Sequence, residues 1–230
     1  MDEKTISIII PTCNEESIIA ASIQRLFALT KHSGQVEIIV SDASTDKTPD
    51  ILSGFPVITC KSTRGRSIQM NSGARHAQGD ILYFLHADTV PPETFILDIR
   101  SAVASGKAAG CFKMHFDDDH PLMNLFGWFT QFPLLICRGG DQSLFITKEL
   151  FARIGGFDET LLIMEDYDII SRIEQLTPLH ILETEVTTSA RKYHTNGIIP
   201  LQLNFGIIHL MYALGFKQES LVRYYRENII

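Results

Sequence analysis

A chain of 230 residues that is 45% hydrophobic can bury a full core, so one α/β domain with an appended segment is expected rather than two independent domains. The net charge of −7 lacks the basic footprint that a nucleic-acid backbone demands, which argues against that partner and favours a small nucleotide if any. The four cysteines, Cys13, Cys60, Cys111 and Cys137, lie far apart with no Cys-x-x-Cys pair, which argues against a zinc site and against a secreted disulfide framework. Met1 to Lys4 leads into an apolar strand with no basic n-region or small-residue cleavage site, so the expected place of action is the cytoplasm.

Thr5 to Ile10 is a β-branched run ended by Pro11, and Ile19, Ile23, Leu26 and Phe27 then recur at helical spacing. In the intervening loop, Pro11-Thr12-Cys13-Asn14-Glu15-Glu16, the helix macrodipole accounts for Glu16 at about 0.3 to 1 kcal/mol. It does not account for Asn14 and Glu15, an amide and a carboxylate placed where a first strand ends and a nucleoside can be gripped. Val36 to Val40 forms a second strand that runs into Ser41-Asp42-Ala43-Ser44-Thr45-Asp46 and a short helix through Ile51 and Leu52. Asp46 reads as the cap of that helix, whereas Asp42 is the first carboxylate off a buried strand.

Pro56 to Cys60 is a third strand, after which Lys61-Ser62-Thr63-Arg64-Gly65-Arg66 puts three cations in six residues. Such a cluster is either a solvated surface or a phosphate contact, and its place after a strand favours phosphate. A small-residue helix through Gln69, Met70, Asn71, Gly73, Ala74 and Ala77 can then lie close to the sheet. Ile81 to Leu85 has no polar alternation, as expected of a strand covered on both faces, and it ends in His86 and Asp88. Two residues apart on an extended chain, these side chains point the same way, which outlines a metal or phosphate site. The competing reading makes Asp88 the cap of the next helix. Three strand–helix units ahead of this strand assemble a doubly wound, mostly parallel sheet. No G-x-G-x-x-G or G-x-x-x-x-G-K motif occurs, which excludes dinucleotide oxidoreductases and P-loop enzymes.

In the second half, Pro92 to Val103 reads as a helix, Ala108 to Phe116 as a strand and Asp117-Asp118-Asp119-His120 as a solvated acidic turn. Pro121 to Ile136 is apolar but shorter than the roughly 20 residues of a membrane span and broken by Pro133, so it is a lid or an interface. Cys137 to Gln142 is a polar turn before the apolar Ser143 to Ile146, and a type-II turn, which needs only the glycines, is the plain structural alternative to a role in binding. Glu165 and Asp166 open a helix carrying Ile169, Ile170 and Ile173, and a strand around Ile181 to Val186 precedes the basic stretch ending at His194. Ile198 to Phe216 is apolar apart from Gln202, Asn204 and His209, which a spanning helix would bury at a cost of several kcal/mol. Neither apolar segment is expected to cross a bilayer. A place on a membrane surface, a homodimer interface and ordinary core remain open for both.

Pro11-Thr12-x-Asn14-Glu15, Ser41-Asp42-x-Ser44-x-Asp46 and Leu85-His86-Ala87-Asp88, in this order, resemble the nucleotide-sugar half of family 2 glycosyltransferases, which have the GT-A fold. Arg64-Gly65-Arg66-Ser67-x-Gln69-Met70-Asn71-x-Gly73-Ala74 is similar to a prokaryotic branch known as rSAM/selenodomain-associated transferases. The resemblance implies one GT-A domain: a donor half over 1–90, an acceptor and catalytic half over 91–196 and a C-terminal helical segment over 197–230. It implies transfer of a sugar, of the hexosyl type, from a UDP- or GDP-sugar to a hydroxyl acceptor, lipid-linked or free, with inversion and with Mn²⁺ or Mg²⁺. Pro11, Thr12, Asn14, Glu15, Asp42, Arg64, Arg66 and His86 are then expected to hold the donor, and Asp88, with His194, the metal. Gly140, Asp141 and Gln142 are expected, by the same resemblance, to face the acceptor. Of the pair Glu165 and Asp166, adjacent on a helix and so diverging by about 100°, Asp166 is the expected base, ionised at neutral pH with an ordinary pKa. Where the family usually has Asp-x-Asp, this chain has His86-Ala87-Asp88. A nucleotidyltransferase and a non-catalytic nucleotide-sugar binding protein are the alternatives.

Overall fold

Six of the seven strands run the same way in a single sheet ordered β3-β2-β1-β4-β6-β5-β7, as a computed structural model describing residues 4–230 shows. The chain begins β1 (Ile6–Thr12), α1 (Ile19–Thr30), β2 (Val36–Asp42), α2 (Thr48–Leu52), β3 (Ile58–Lys61), α3 (Arg66–His76) and β4 (Ile81–Phe84). It moves outward from β1 to β3 and then returns to the other side of β1 with β4. That reversal opens a crevice beyond the carboxyl ends of β1 and β4, where an open α/β sheet binds ligands. The sheet continues with β5 (Ala109–Phe116), β6 (Leu144–Thr147), which leads into α6 (Lys148–Arg153), and β7 (His180–Thr188), β6 alone running antiparallel to its neighbours.

The unalternating isoleucines of β1 have the burial they require. Ile6, Ile8 and Ile10 pack against Ile19, Ile23 and Leu26 of α1 and against Phe95 and Ile99 of α4 (Phe95–Ala104), while Ile9 faces Met70 and Ala74 of α3. Each such side chain contributes about 1.5 to 3 kcal/mol when fully buried. α3 lies close on β1 because Gly73 has no side chain; a Cβ there would run into Ile9.

α4 starts three residues later than its sequence suggests. Val90 exchanges hydrogen bonds with Thr187, N to O at 2.7 Å and O to N at 2.8 Å, and the two prolines that follow keep the chain extended. Thr94 is the residue at the helix N-cap, so Asp88 caps nothing there.

A third apolar cluster joins Phe116 and Met123 of α5 (Pro121–Phe129) to Tyr193, Leu201, Ile208 and Leu221, from α8 (Arg191–Asn196), α9 (Ile198–Ala213) and α10 (Gln218–Asn228). The acidic turn before α5 is held by backbone donors: Asp117 accepts the N–H of Ala190, after β7, at 2.6 Å, and Asp118 that of the neighbouring His120 at 2.6 Å. Among the described residues no helix is long and apolar enough to cross a membrane.

Candidate active site

The donor-side loops are fastened to one another by their own polar side chains. Asp42 Oδ1 accepts hydroxyl hydrogen bonds from Thr12 at 2.7 Å and Ser44 at 2.6 Å. Asn14 adopts a left-handed conformation, φ 61°, which asparagine tolerates, and its side-chain oxygen accepts the Thr45 N–H at 2.8 Å. The Glu15 N–H reaches Thr48 Oγ1 at 3.0 Å. Beneath them the buried Gln69 donates to the carbonyls of Thr12 at 2.6 Å and Ser41 at 3.1 Å, pinning the ends of β1 and β2. Pro11 stands opposite Ser41 in this register. Pro11, Thr12, Asn14 and Asp42 are thus brought together, and Asn14 and Asp42 brace the loops themselves.

His86 and Asp88 follow β4, both half-buried. Burial, and secondly the negative charge of Asp88, raise the Glu15 carboxyl above the usual range. Burial and the nearby Arg66 and Lys192 cations lower His86, against the pull of Asp88, so its imidazole is neutral.

On the acceptor side, α7 (Glu165–Glu174) presents the expected pair in two directions. Glu165 is buried and meets Arg66 Nη1 at 3.5 Å. Asp166 turns to Gly140: a Cβ on Gly140 would strike the Asp166 carboxylate and lie 2.9 Å from His86 Nε2. The start of α7, the end of β4 and the Gly140–Gln142 turn therefore converge on one point, where any larger residue would push the Asp166 carboxylate or the His86 ring aside. This corrects the type-II turn, because the segment is a 3-10 turn and neither Gly139 nor Gly140 has a positive φ. The glycine permits the close approach of Asp166 and His86.

The expectation of an ordinary Asp166 is also overturned. Burial first, then Glu165 and Asp141, lift its carboxyl well above the usual range against the opposing pull of Arg66. Arg66, amid Glu165, Asp166 and Asp141, is held firmly cationic. Asp141 is exposed in the cleft, as is Arg64. Gln142 is buried scaffold that donates to Phe112 O at 3.1 Å and accepts the Gly139 N–H at 3.2 Å.

These groups open onto a cleft of about 780 Å³ whose far wall is aromatic: Phe116, Phe126, Phe129, Tyr193, Phe205 and Tyr225. The sequence reading missed this wall, since it comes from five separate segments. Lys192, from the basic stretch that ends at His194, bonds Tyr225 Oη through its ammonium at 3.1 Å. The sequence reading did miss the buried Arg138, which donates to the carbonyls of Thr130 at 2.7 Å and Phe132 and to Cys111 Sγ at 3.4 Å. A cation directly before Gly139-Gly140 was the available signal for Arg138.

His194 departs from its expected place. Its ring is on the exposed side of α8, 3.3 Å from Asp118, and among the described residues no three His, Cys, Asp or Glu side chains converge as a metal set. Asp88 and Glu15, two carboxylates whose repulsion a divalent cation would relieve, fit an ion that takes its remaining ligands from a diphosphate and water, the habit of Mg²⁺ and Mn²⁺.

A model of glycosyl transferase family 2 matches residues 7–153. The probable glycosyltransferase YdaM of Bacillus subtilis is 25% identical over 197 residues, 74% of this chain and 47% of that protein. The beta-monoglucosyldiacylglycerol synthase of a Nostoc species is 28% identical over 225 residues, 82% of this chain and 47% of that protein. The chain thus spans about half the length of these curated relatives. Among solved structures, the mannosyltransferase PcManGT of Pyrobaculum calidifontis, in complex with GDP-Man and Mn²⁺, superposes with a TM-score of 0.69 at 18% identity, covering 97% of this chain and 70% of that one. The sheet and its flanking helices are those of the GT-A glycosyltransferases, and the chain belongs to glycosyl transferase family 2.

Proposed function

We propose that the protein transfers a sugar from a nucleoside diphosphate donor to a hydroxyl acceptor, with inversion, and that Asp166 is the base. One observation carries the reading: the Asp166 carboxylate is set against Gly140 and beside His86, between the polar end of β4 and the aromatic cleft. Thr12, Asn14, Glu15 and Asp42 would receive the nucleoside, and Arg64 the diphosphate. Asp88, with Glu15 beside it, would hold Mn²⁺ or Mg²⁺, which when bound offsets the charge of the departing diphosphate. Asp166 takes the proton from the acceptor oxygen as that oxygen attacks the anomeric carbon, and Glu165 keeps Arg66 in place beneath it. Its raised pKa makes it a stronger base than a free carboxylate. No second carboxylate is needed as nucleophile, which supports one displacement and inversion.

The GDP-Man and Mn²⁺ bound by the Pyrobaculum enzyme support a donor and metal of this class, and the Arg64 to Ala74 run supports the narrower branch. A nucleotidyltransferase fits less well, because the β1–α1 loop contains no glycine to wrap a triphosphate. Incubation with labelled UDP- and GDP-sugars, Mn²⁺ and a panel of hydroxyl acceptors tests the proposal. A glycoside of opposite anomeric configuration is expected. Formation of a sugar nucleotide from a sugar phosphate, or binding without turnover on any acceptor, would contradict it.

A further inference from the structure

α9 carries apolar residues around its whole circumference, interrupted by Gln202, Asn204 and His209, the pattern of a helix largely enclosed by protein, yet only Leu201 and Ile208 are buried. Ile199, Leu203 (63% exposed), Ile207 and Leu210 face outward. Across the cleft, α5 and the turn after it expose Trp128 (53%), Leu134 (57%) and Ile136 (72%). Neither 121–137 nor 198–216 contains a single Asp, Glu, Lys or Arg, which sets both apart from ordinary water-facing surface. Phe129, Ile136 and Leu162 are exposed and also line the cleft, so the apolar surface and the acceptor wall share side chains. A protein seated there would stopper the cleft. A lipid surface would leave it open and would supply an acceptor whose chain suits the aromatic wall. Trp128 stacks edge-on against Phe129 and Phe132, at 5.3 and 4.7 Å between centroids. Its indole N–H donates to no group among the described residues, an arrangement suited to the headgroup boundary of a bilayer.

We propose that this rim, Trp128 to Ile136 with the outer face of α9, seats on a lipid bilayer without crossing it, and that the acceptor hydroxyl belongs to a lipid in that bilayer. The second half rests on the sugar-transfer reading; the seating does not. Because Trp128 is the chain's one tryptophan, its fluorescence reports this position alone. With the full chain and phosphatidylcholine vesicles, with or without phosphatidylglycerol, Trp128 emission is expected to move to shorter wavelength and to be quenched by brominated acyl chains. Leu134→Glu and Leu203→Glu, both outside the cleft lining, should each weaken vesicle binding by about tenfold or more while Mn²⁺-dependent nucleotide-sugar binding stays unchanged. Emission that ignores vesicles of every composition overturns the seating. So does a concentration-dependent dimer that shields Trp128 from the quencher, which would assign the surface to a second copy. Vesicle binding without consumption of any nucleotide sugar sinks the sugar-transfer reading and leaves the seating intact; equal transfer to a soluble alcohol overturns the lipid acceptor.

Discussion

The two sides of the site are built by different physics. On the donor side, short polar residues fasten backbone to backbone: Asp42 gathers Thr12 and Ser44, Asn14 holds Thr45, and Gln69 ties two strand ends. On the acceptor side rings pack edge to face, as in Phe116 against Tyr193 at 5.3 Å, and the wall grades into exposed apolar surface. Directional bonds fix the position of a ligand of defined shape, such as a nucleotide, whereas a ring-lined wall accommodates apolar bulk with little demand on its outline. Asp166 stands at the seam.

If the donor wall works through Asp88 and a divalent cation, chelation should abolish transfer and readdition of Mn²⁺ should restore it. Asp88→Asn should remove the metal-dependent part of donor affinity, measured by calorimetry with and without Mn²⁺. Gly140→Ala probes the seam: the added methyl displaces the Asp166 carboxylate, and a shift of about 1 Å in a reacting group costs roughly 10²-fold in kcat. Donor affinity should change far less than transfer, since the methyl meets Asp166 and the His86 ring but none of Thr12, Asn14, Glu15 or Asp42. A smaller effect sharpens the same point. Transfer requires the ionised base, so the rate should climb with pH through a range where an ordinary carboxylate, at about 4, is already ionised. Glu165→Gln removes a neighbouring negative charge and should move the midpoint of that climb to lower pH. The mildest change is Gln69→Leu, which removes the amide that bonds the carbonyls of Thr12 and Ser41 and should cost about 1 to 3 kcal/mol for the two bonds in a thermal melt, with a raised donor KM.

Much of the donor wall was legible in the sequence because each of its parts is local. An unalternating run such as Ile81 to Leu85 declares a strand covered on both faces, and the first polar residues beyond it fall at the ligand edge by topology. The acceptor wall was legible only in outline. Gly140 reads as a turn glycine until Asp166 and His86, from segments far along the chain, are seen to press on it. The raised pKa of Asp166 had no local signal, since Asp141 and Arg66 reach it through the fold. His194 looked like a ligand beside basic neighbours, but α8 turns it toward Asp118. The late start of α4 depended on Val90 pairing with Thr187, a contact that no local pattern carries.

The central claim, that Asp166 serves as base on a site whose donor wall is complete without it, is tested most directly by Asp166→Asn, measuring donor binding and transfer on the same preparation. The account predicts donor affinity in Mn²⁺ within about twofold of the parent and a transfer rate lower by roughly 10² to 10⁴. Near-normal transfer by Asp166→Asn, or loss of donor binding in step with transfer, would contradict it.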